Sequence, residues 1–158
     1  MTVICIPGSF DPVTRGHLSL VDYASRIADV VYAAIFINPD KIYRFSLDER
    51  LSLLRLACRP YPNVRVVSDS GAVADFARKN GVSYLLKGVR NEADFLYEQK
   101  MAAVNRARGV ETLLLPAAPE LCSVSSSELR RRLDEGEAYG ELLPPEVEGA
   151  LKTLLDKP

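Results

Sequence analysis

The only histidine of the chain, His17, ends the segment Thr14-Arg15-Gly16-His17, shortly after an apolar run. The run is typical of a strand, Gly8 and Asp11-Pro12 are typical of the turn that follows it, and a helix is expected over residues 17–27. The unpaired amides and the dipole at a helix amino end attract anions. A lone histidine is more often a cap or a surface residue, but this position favours contact between the His17 imidazole and a phosphate.

Further polar and basic residues follow other strands of the pattern. Lys41 lies in NPDKIYRF (38–45), Lys87 and Arg90 lie in KGVRNEADFLYE (87–98), and a run of serines lies in CSVSSSELRRR (122–132). Because parallel strands end at one edge of a sheet, we expect these groups to meet His17 there. The serines suit both a helix cap and a phosphate site, whereas Arg130 to Arg132 are interpreted as charges on an exposed helix face.

Five short runs predict strands, and most of them are apolar at consecutive positions, which suits strands covered on both faces. They are VICI (3–6), VVYAAIFI (30–37), VRVV (64–67), YLL (84–86) and TLLL (112–115). Helical patterns separate them. The alternation predicts an α/β fold, a doubly wound parallel sheet of five strands flanked by helices, with right-handed crossovers. No repeat or linker interrupts the pattern, so residues 1–158 are expected to form a single domain.

Capping signals predict where several helices begin. Ser46 to Glu49 and Ser125 to Glu128 have the spacing of capping boxes. Asn91 is expected to cap a helix with Asp94 in its third position, and Pro144-Pro145 is expected to start the last helix. The apolar residues expected along the Asn91-capped helix are Phe95, Met101, Ala102 and Val104.

The composition limits the possible functions. The chain has 158 residues, a net charge of −1 and 47% apolar residues, which predicts a soluble globular protein without the basic excess of a general nucleic-acid binder. No apolar segment approaches the length of a membrane span, and no signal peptide is recognisable, so a cytoplasmic location is expected. The three cysteines are widely spaced without a C-x-x-C pair, which predicts reduced thiols and neither a disulfide framework nor a zinc site.

Taken together, the motifs resemble a known family. Thr14-Arg15-Gly16-His17 matches the T/H-x-G-H signature of the nucleotidylyltransferase superfamily, and Ser125-Ser126-Ser127 matches its later serine motif. The segments PGSFDPVTRGH, LDER, KGVRNEADFLYE and SVSSS follow the order and similar spacing of the bacterial phosphopantetheine adenylyltransferases. The resemblance extends from the first strand to about residue 155, and four linked motifs make it specific.

The resemblance implies a reaction in which the phosphate of 4'-phosphopantetheine attacks the α-phosphorus of ATP, assisted by Mg²⁺, giving dephospho-coenzyme A and pyrophosphate. No covalent protein nucleophile is implied. It also implies a homohexamer, and no nucleic-acid or membrane partner is expected. Catalysis would then come from alignment and from charge stabilisation around the α-phosphorus.

The same resemblance implies roles for individual residues. The catalytic residues would be His17, Lys41 and Arg90, and the phosphopantetheine site would contain Ser9, Lys41, Val73 and Lys87. The ATP site would contain Ser9, Phe10, His17, Gly88, Val89, Arg90, Glu98, Leu121, Cys122, Ser123, Val124, Ser125, Ser126 and Ser127. No metal ligand is predicted.

Three positions depart from the family pattern. Ser9 stands where threonine is usual, which keeps the hydroxyl. Lys87 stands where arginine is usual, so a planar two-pronged donor is replaced by a point charge. Leu121 and Cys122 replace residues that usually include an aromatic one, which affects how this loop would hold the nucleotide.

The sequence is also compatible with functions other than adenylyl transfer to phosphopantetheine. A relative that transfers a nucleotide to nicotinamide mononucleotide or glycerol phosphate would share T/H-x-G-H, but it would not be expected to carry KGVRNEADFLYE. A non-catalytic sensor would bind ATP without cleaving it. A serine hydrolase is disfavoured, because the chain has no G-x-S-x-G elbow and its histidine lies far along the chain from the serines.

Overall fold

A computed structural model describes residues 1–158. Five strands alternate with helices along the chain. The strands are β1 (Val3–Gly8), β2 (Val30–Phe36), β3 (Val64–Asp69), β4 (Tyr84–Val89) and β5 (Glu111–Pro116), and the helices are α1 (Arg15–Ile27), α2 (Leu47–Cys58), α3 (Val73–Lys79), α4 (Glu92–Ala107), α5 (Ser126–Glu135) and α6 (Pro145–Leu155). Short 3₁₀ turns cover Pro119–Leu121 and Gly140–Leu142.

All five strands pair in parallel in the order β3-β2-β1-β4-β5, which confirms the predicted fold class. Four strands, β1, β3, β4 and β5, extend further than predicted, and β1 and β4 show the reason. Gly8 pairs with Ile35 as the last residue of β1, and Lys87 and Gly88 pair with residues of β5 instead of following the strand. Backbone pairing with a neighbouring strand therefore continues past the apolar run that marks each strand in the sequence.

The sheet is covered on both faces, as its consecutive apolar residues predict. Along β1 the side chains alternate between two clusters, since Ile4 and Ile6 join a core of 23 buried residues and Cys5 joins a smaller cluster of seven. The larger cluster includes Val21 of α1, and the smaller one includes Phe76 of α3. Helices on opposite faces therefore hold β1 rigidly at the centre of the sheet.

The capping predictions are mostly confirmed. Ser46 and Glu49 form a complete capping box, and the Asn91 side chain accepts the Asp94 N–H at 2.8 Å. Helix α1 begins at Arg15, two residues before the predicted start, because Thr14 is its N-cap. The box predicted at Ser125 is only half formed, and the Glu128 carboxylate pairs with Arg131 and Arg132 instead of the cap.

Helix α4 differs from the other helices because none of its residues is buried. Its expected apolar residues point outward from this chain and are joined by two more exposed apolar residues. The exposed apolar side chains of α4 are Phe95, Leu96, Tyr97, Met101 and Val104, which we call the α4 apolar face. No helix is long and apolar enough to span a membrane.

The neighbouring strands β1 and β4 pair only near their amino ends. Their register joins Ile4 with Tyr84 and Cys5 with Leu85, although β1 continues to Gly8. The two strands therefore separate toward their carboxyl ends. They are also the strands on either side of the point where the chain reverses its direction across the sheet, which is where ligands bind in folds of this kind.

Candidate active site

Helix α1 begins at the opening between β1 and β4, and its first turn fixes the orientation of His17. The Thr14 N–H donates to Nδ1 of His17 at 3.0 Å, and the His17 N–H donates to Oγ1 of Thr14 at 3.4 Å. Because Nδ1 accepts a hydrogen bond, the neutral imidazole carries its proton on Nε2. His17 therefore presents one N–H donor away from its own helix cap.

Burial and charge keep this imidazole neutral. His17 is partly buried, and the loss of solvation lowers its pKa to about 4, with further contributions from the positive charges of Lys87 and Arg90. At neutral pH the group is thus a hydrogen-bond donor rather than a cation. A donor of this kind stabilises negative charge that grows on a phosphate oxygen during a reaction.

Phe10 supports the histidine from behind. Its ring lies 4.6 Å from the His17 ring, centroid to centroid, and the residue is 1% exposed. The Phe10 side chain belongs to the core, so the predicted contact between Phe10 and ATP stays a prediction that concerns its backbone. Its backbone adopts a φ of 47°, which turns the chain sharply after β1.

Lys87 and Arg90 bring positive charge toward His17 from β4, as predicted. The Lys87 ammonium lies 3.4 Å from a carboxylate oxygen of Glu98, whose side chain is only 13% exposed. Nε of Arg90 lies 3.3 Å from Asp94 at the start of α4. These ion pairs hold each cation in place before a ligand binds. The sequence analysis did not predict either pair.

Gly88 and Val89 lie between these two cations. A Cβ at Gly88 would meet the Leu20 side chain at 3.4 Å, so glycine here allows α1 to pack closely against β4. Val89 is buried. Like Phe10, Val89 would offer a ligand its backbone, and its predicted contact with ATP stays a prediction.

The residues predicted for the second phosphate lie in two different loops. Ser9 directly follows β1, and its hydroxyl makes no hydrogen bond within the chain. Lys41 lies in the exposed loop after β2 without an ion pair, and the structure shows no direct contact between it and His17. Val73 begins α3 after β3 and packs against the smaller core cluster. All three residues lie near the carboxyl ends of strands.

The loop from Leu121 to Ser127 has an inner and an outer side. Leu121 and Val124 are buried in the core, so any contact that they make with ATP would come from their backbone. Cys122 and Ser123 are exposed, and Ser125 is the N-cap of α5. The buried residues anchor the loop, while the exposed ones and the helix start remain available to a ligand.

Helices α1 and α5 begin close to one another. The Ser126 hydroxyl donates to the carbonyl of Pro12 at 2.7 Å, and Nη1 of Arg130 donates to the carbonyl of Asp11 at 2.8 Å. A Cβ at Gly16 would lie 3.5 Å from the carbonyl of Val124. The interpretation of Arg130 as a purely solvated charge is therefore wrong, because it joins α5 to the turn before α1.

Ser127 is exposed and its hydroxyl accepts a hydrogen bond from Arg130 at 3.2 Å. The structure thus brings the three serines of the motif to the start of α5. Ser125 caps the helix, Ser126 bonds to the neighbouring turn and Ser127 is exposed to solvent. Two helix amino ends then face the opening beside His17.

Two buried charged residues were missed by the sequence analysis. The Asp11 carboxylate is 4% exposed and accepts the N–H groups of Arg44 at 2.9 Å and Phe45 at 3.0 Å. Arg50 is 2% exposed and donates to the carbonyls of Phe45 and Ser9. The signal that could have found Arg50 is its position on the apolar stripe of α2, where a charge is unexpected.

The carboxylates around the site do not form a metal cage. Asp11 accepts backbone amides, Asp94 faces Arg90 and Glu98 faces Lys87, and no group of three metal-ligating side chains occurs in the chain. Mg²⁺ commonly uses one or two carboxylates together with substrate phosphates and water. The donors present therefore fit a metal that arrives on the phosphates of a substrate better than a resident ion.

The arrangement can bind and polarise a phosphate. It combines a fixed neutral N–H donor, two nearby cations and two helix amino ends, which suits transfer at phosphorus by positioning and charge stabilisation. Because the pKa of His17 is lowered to about 4, its imidazole at neutral pH suits the role of a hydrogen-bond donor. A fold and site of this kind define a nucleotidyltransferase.

Comparison with known sequences agrees with this assignment. The profile of the cytidylyltransferase-like family matches residues 5–132, so the chain belongs to that family. It is 41% identical over 146 residues to the phosphopantetheine adenylyltransferase of Streptomyces coelicolor, covering 92% of each chain. It is 40% identical over 154 residues to the enzyme of the same name from Hahella chejuensis, covering 96% of each chain.

A third relative, the phosphopantetheine adenylyltransferase of Frankia casuarinae, is 40% identical over 146 residues, which cover 89% of this chain and 90% of the relative. The resemblance identified from the four motifs is therefore confirmed. The roles of individual residues stay predictions.

Proposed function

We propose that this chain transfers the adenylyl group of ATP to 4'-phosphopantetheine, giving dephospho-coenzyme A and pyrophosphate. The observation that carries the proposal is His17, which presents an Nε2–H donor beside Lys87 and Arg90 at the opening between β1 and β4. The names of the relatives supply the two substrates.

The reaction needs no proton transfer to begin. A phosphate monoester has its second pKa near ~6, so the acceptor is largely a dianion at neutral pH. One oxygen of the acceptor phosphate forms a bond to the α-phosphorus of ATP. At the same time the bond between that phosphorus and the oxygen that bridges the α- and β-phosphates breaks. The electron pair leaves with pyrophosphate. A neutral donor at His17 fits this step better than a general base would.

The groups at the site divide between the two substrates. His17 would donate to an α-phosphate oxygen, and Arg90 would neutralise charge that develops along the triphosphate. Ser9 and Lys41 would hold the acceptor phosphate, with Lys87 between the two substrates. The exposed serine loop and the start of α5 would receive the nucleotide end of ATP.

Magnesium would enter as part of the ATP complex. The carboxylates at the site already have partners, so the ion would be held mainly by phosphate oxygens and water. When bound, it would neutralise phosphate charge and polarise the α-phosphate.

A homohexamer is part of the proposal. The α4 apolar face contains five exposed apolar side chains on a helix without a fully buried residue, which suits burial against another copy. We place the enzyme in the cytoplasm, because an exposed free thiol such as Cys122 suits a reducing compartment.

The test is incubation of the purified chain with ATP, Mg²⁺ and 4'-phosphopantetheine, followed by pyrophosphate release and by mass spectrometry of the pantetheine product. Dephospho-coenzyme A is the expected product. Parallel reactions replace the acceptor with nicotinamide mononucleotide, or supply glycerol phosphate with CTP, and no product is expected from either. Binding of ATP by calorimetry without pyrophosphate release would identify a sensor and overturn the proposal.

A further inference from the structure

Arg50 is a buried cation without an acidic partner. It is 2% exposed, and its Nε and Nη1 donate to the carbonyls of Phe45 at 3.2 Å and Ser9 at 2.9 Å, with no ion pair. A buried charge is costly unless it is paired and fully hydrogen-bonded. An apolar residue would suit this position on α2 at least as well for stability, so a requirement other than stability is indicated.

The guanidinium of Arg50 also lies on an aromatic ring. Its Cζ is 3.9 Å from the centroid of Tyr43, a separation typical of a cation–π contact. The Tyr43 hydroxyl accepts the N–H of Asn38 at 2.9 Å and lies 3.4 Å from its carbonyl oxygen. The same Asn38 carbonyl accepts the N–H of Lys41 at 3.1 Å. Tyr43 therefore fastens the turn that carries Lys41.

These contacts form one continuous connection between two loops. It begins at the backbone of Ser9, passes through Arg50 and Tyr43, and ends at the turn of Lys41. Asp11 binds the end of the same loop at Arg44 and Phe45. The loop after β2 is thus attached to the loop after β1 at two places. The Lys41 side chain itself forms no hydrogen bond or ion pair within the chain.

We propose that Arg50 is a positioning residue that fixes the distance between Ser9 and Lys41, and thereby sets the affinity of the site for the phosphate of the acceptor. The identity of that acceptor rests on the proposed function. Arg50 is buried behind the loops and donates its bonds to the protein backbone, so it acts through the two loops rather than on the substrate.

Two variants test the connection at different points. Tyr43→Phe removes the hydroxyl that holds Asn38 and keeps the ring beside Arg50. Arg50→Lys keeps the charge but loses the planar donor pair. The matched controls are Tyr23→Phe on the exposed face of α1 and Arg55→Lys on the exposed face of α2, since neither control side chain has a hydrogen bond or ion pair.

The first measurement is the KM for each substrate. For Tyr43→Phe we expect a KM for phosphopantetheine about fivefold higher, and for Arg50→Lys at least about tenfold higher, which corresponds to loss of a neutral and of a charged hydrogen bond. The KM for ATP should change less, because most residues predicted for ATP, among them His17 and Arg90, lie outside these loops and only Ser9 and Phe10 lie in one of them. The proposal would be overturned if the KM for ATP rose as much as the KM for phosphopantetheine, or if neither variant changed the KM for phosphopantetheine.

The second measurement needs no substrate. Hydrogen exchange of the backbone amides of residues 38–45 should be faster in Tyr43→Phe than in the wild type and in Tyr23→Phe, because the turn has lost its clamp. Unchanged exchange in that segment would also overturn the proposal. If the wild type makes no dephospho-coenzyme A while Tyr43→Phe still loosens the loop, the proposed function fails and the mechanical connection stands.

Discussion

The start of α1 and the outer surface of α4 lie on neighbouring parts of the sheet but use polar and apolar residues in opposite ways. Around α1, charged groups such as Asp11 and Arg50 are buried and hydrogen-bonded to the backbone of adjacent loops. Along α4, apolar side chains such as Tyr97 and Val104 are exposed, and no residue is buried.

The contrast shows two ways in which a surface is prepared for binding. The region around α1 is complete within one chain, because its polar groups hold the loops in a fixed geometry before any ligand arrives. The α4 apolar face would be covered only in the proposed homohexamer, where a second copy would bury its exposed apolar area. The four predictions below test the contrast, beginning with the largest effect.

Replacing His17 with alanine should lower kcat by about 10²- to 10³-fold, the cost of losing one donor that stabilises charge in the transition state. The thermal midpoint should fall modestly while the chain stays folded, because the buried Thr14 N–H loses its acceptor and Phe10 loses a neighbouring ring. Steady-state kinetics and a thermal melt check the two parts. Near-normal turnover would remove the imidazole from the mechanism.

Replacing Asp11 with alanine should destabilise the fold by about 3 kcal/mol, because two backbone N–H groups lose their acceptor and Arg130 loses an ion-pair partner. Urea denaturation measures the change. Asp134→Ala is the control, since that exposed carboxylate pairs only with Arg44 at the surface and should matter little. Equal destabilisation by the two substitutions would contradict the inference that the buried Asp11 carboxylate fixes the loops around α1 before a ligand binds.

The His17 signal should titrate with a pKa of about 4 instead of the usual 6.5. As the chain has one histidine, its ring resonances in an NMR titration are unambiguous. The unfolded chain takes up this proton near pH 6.5 and the folded chain only near pH 4, so folding stability should fall as the pH is lowered through this window. The fall should be smaller in His17→Ala, and a midpoint near 6.5 would contradict the burial argument.

The double substitution Tyr97→Ser and Val104→Ser should leave the fold of each chain intact, because exposed positions usually change stability by less than about 0.5 kcal/mol on their own. It should nevertheless reduce the oligomer to smaller species, measured by light scattering. Ile27→Ser, which alters an exposed apolar residue of α1, is the control and should not change the mass. An unchanged mass in the double variant would exclude α4 from the contact between copies.

Local sequence signals were sufficient for the architecture. Runs such as residues 30–37 are apolar at every position because β2 is covered on both faces, and this pattern distinguishes a central parallel strand from an exposed one. The ends of β1 and β4 were misplaced, because Gly8 and Lys87 are strand residues only through pairing with neighbouring strands. Register is a property of two segments and cannot be seen in one.

The site was predicted where it depends on local order along the chain. Thr14 and His17 lie in one turn, and the serines lie at one helix start. Asp11 and Arg50 escaped prediction because Arg44 and Phe45 lie 33 and 34 residues from Asp11 and Ser9 lies 41 residues from Arg50, so only the fold brings these partners together. Arg130 was misread for the same reason, since its partner Asp11 is 119 residues distant.

The pairing of Lys87 with Glu98 means that the site supplies a counter-ion of its own. A phosphate that arrives at Lys87 exchanges places with a carboxylate instead of meeting a bare cation. The net electrostatic gain is therefore smaller than the number of cations suggests, and after the exchange Glu98 is left as an acceptor for hydroxyl or amino groups of the incoming molecule.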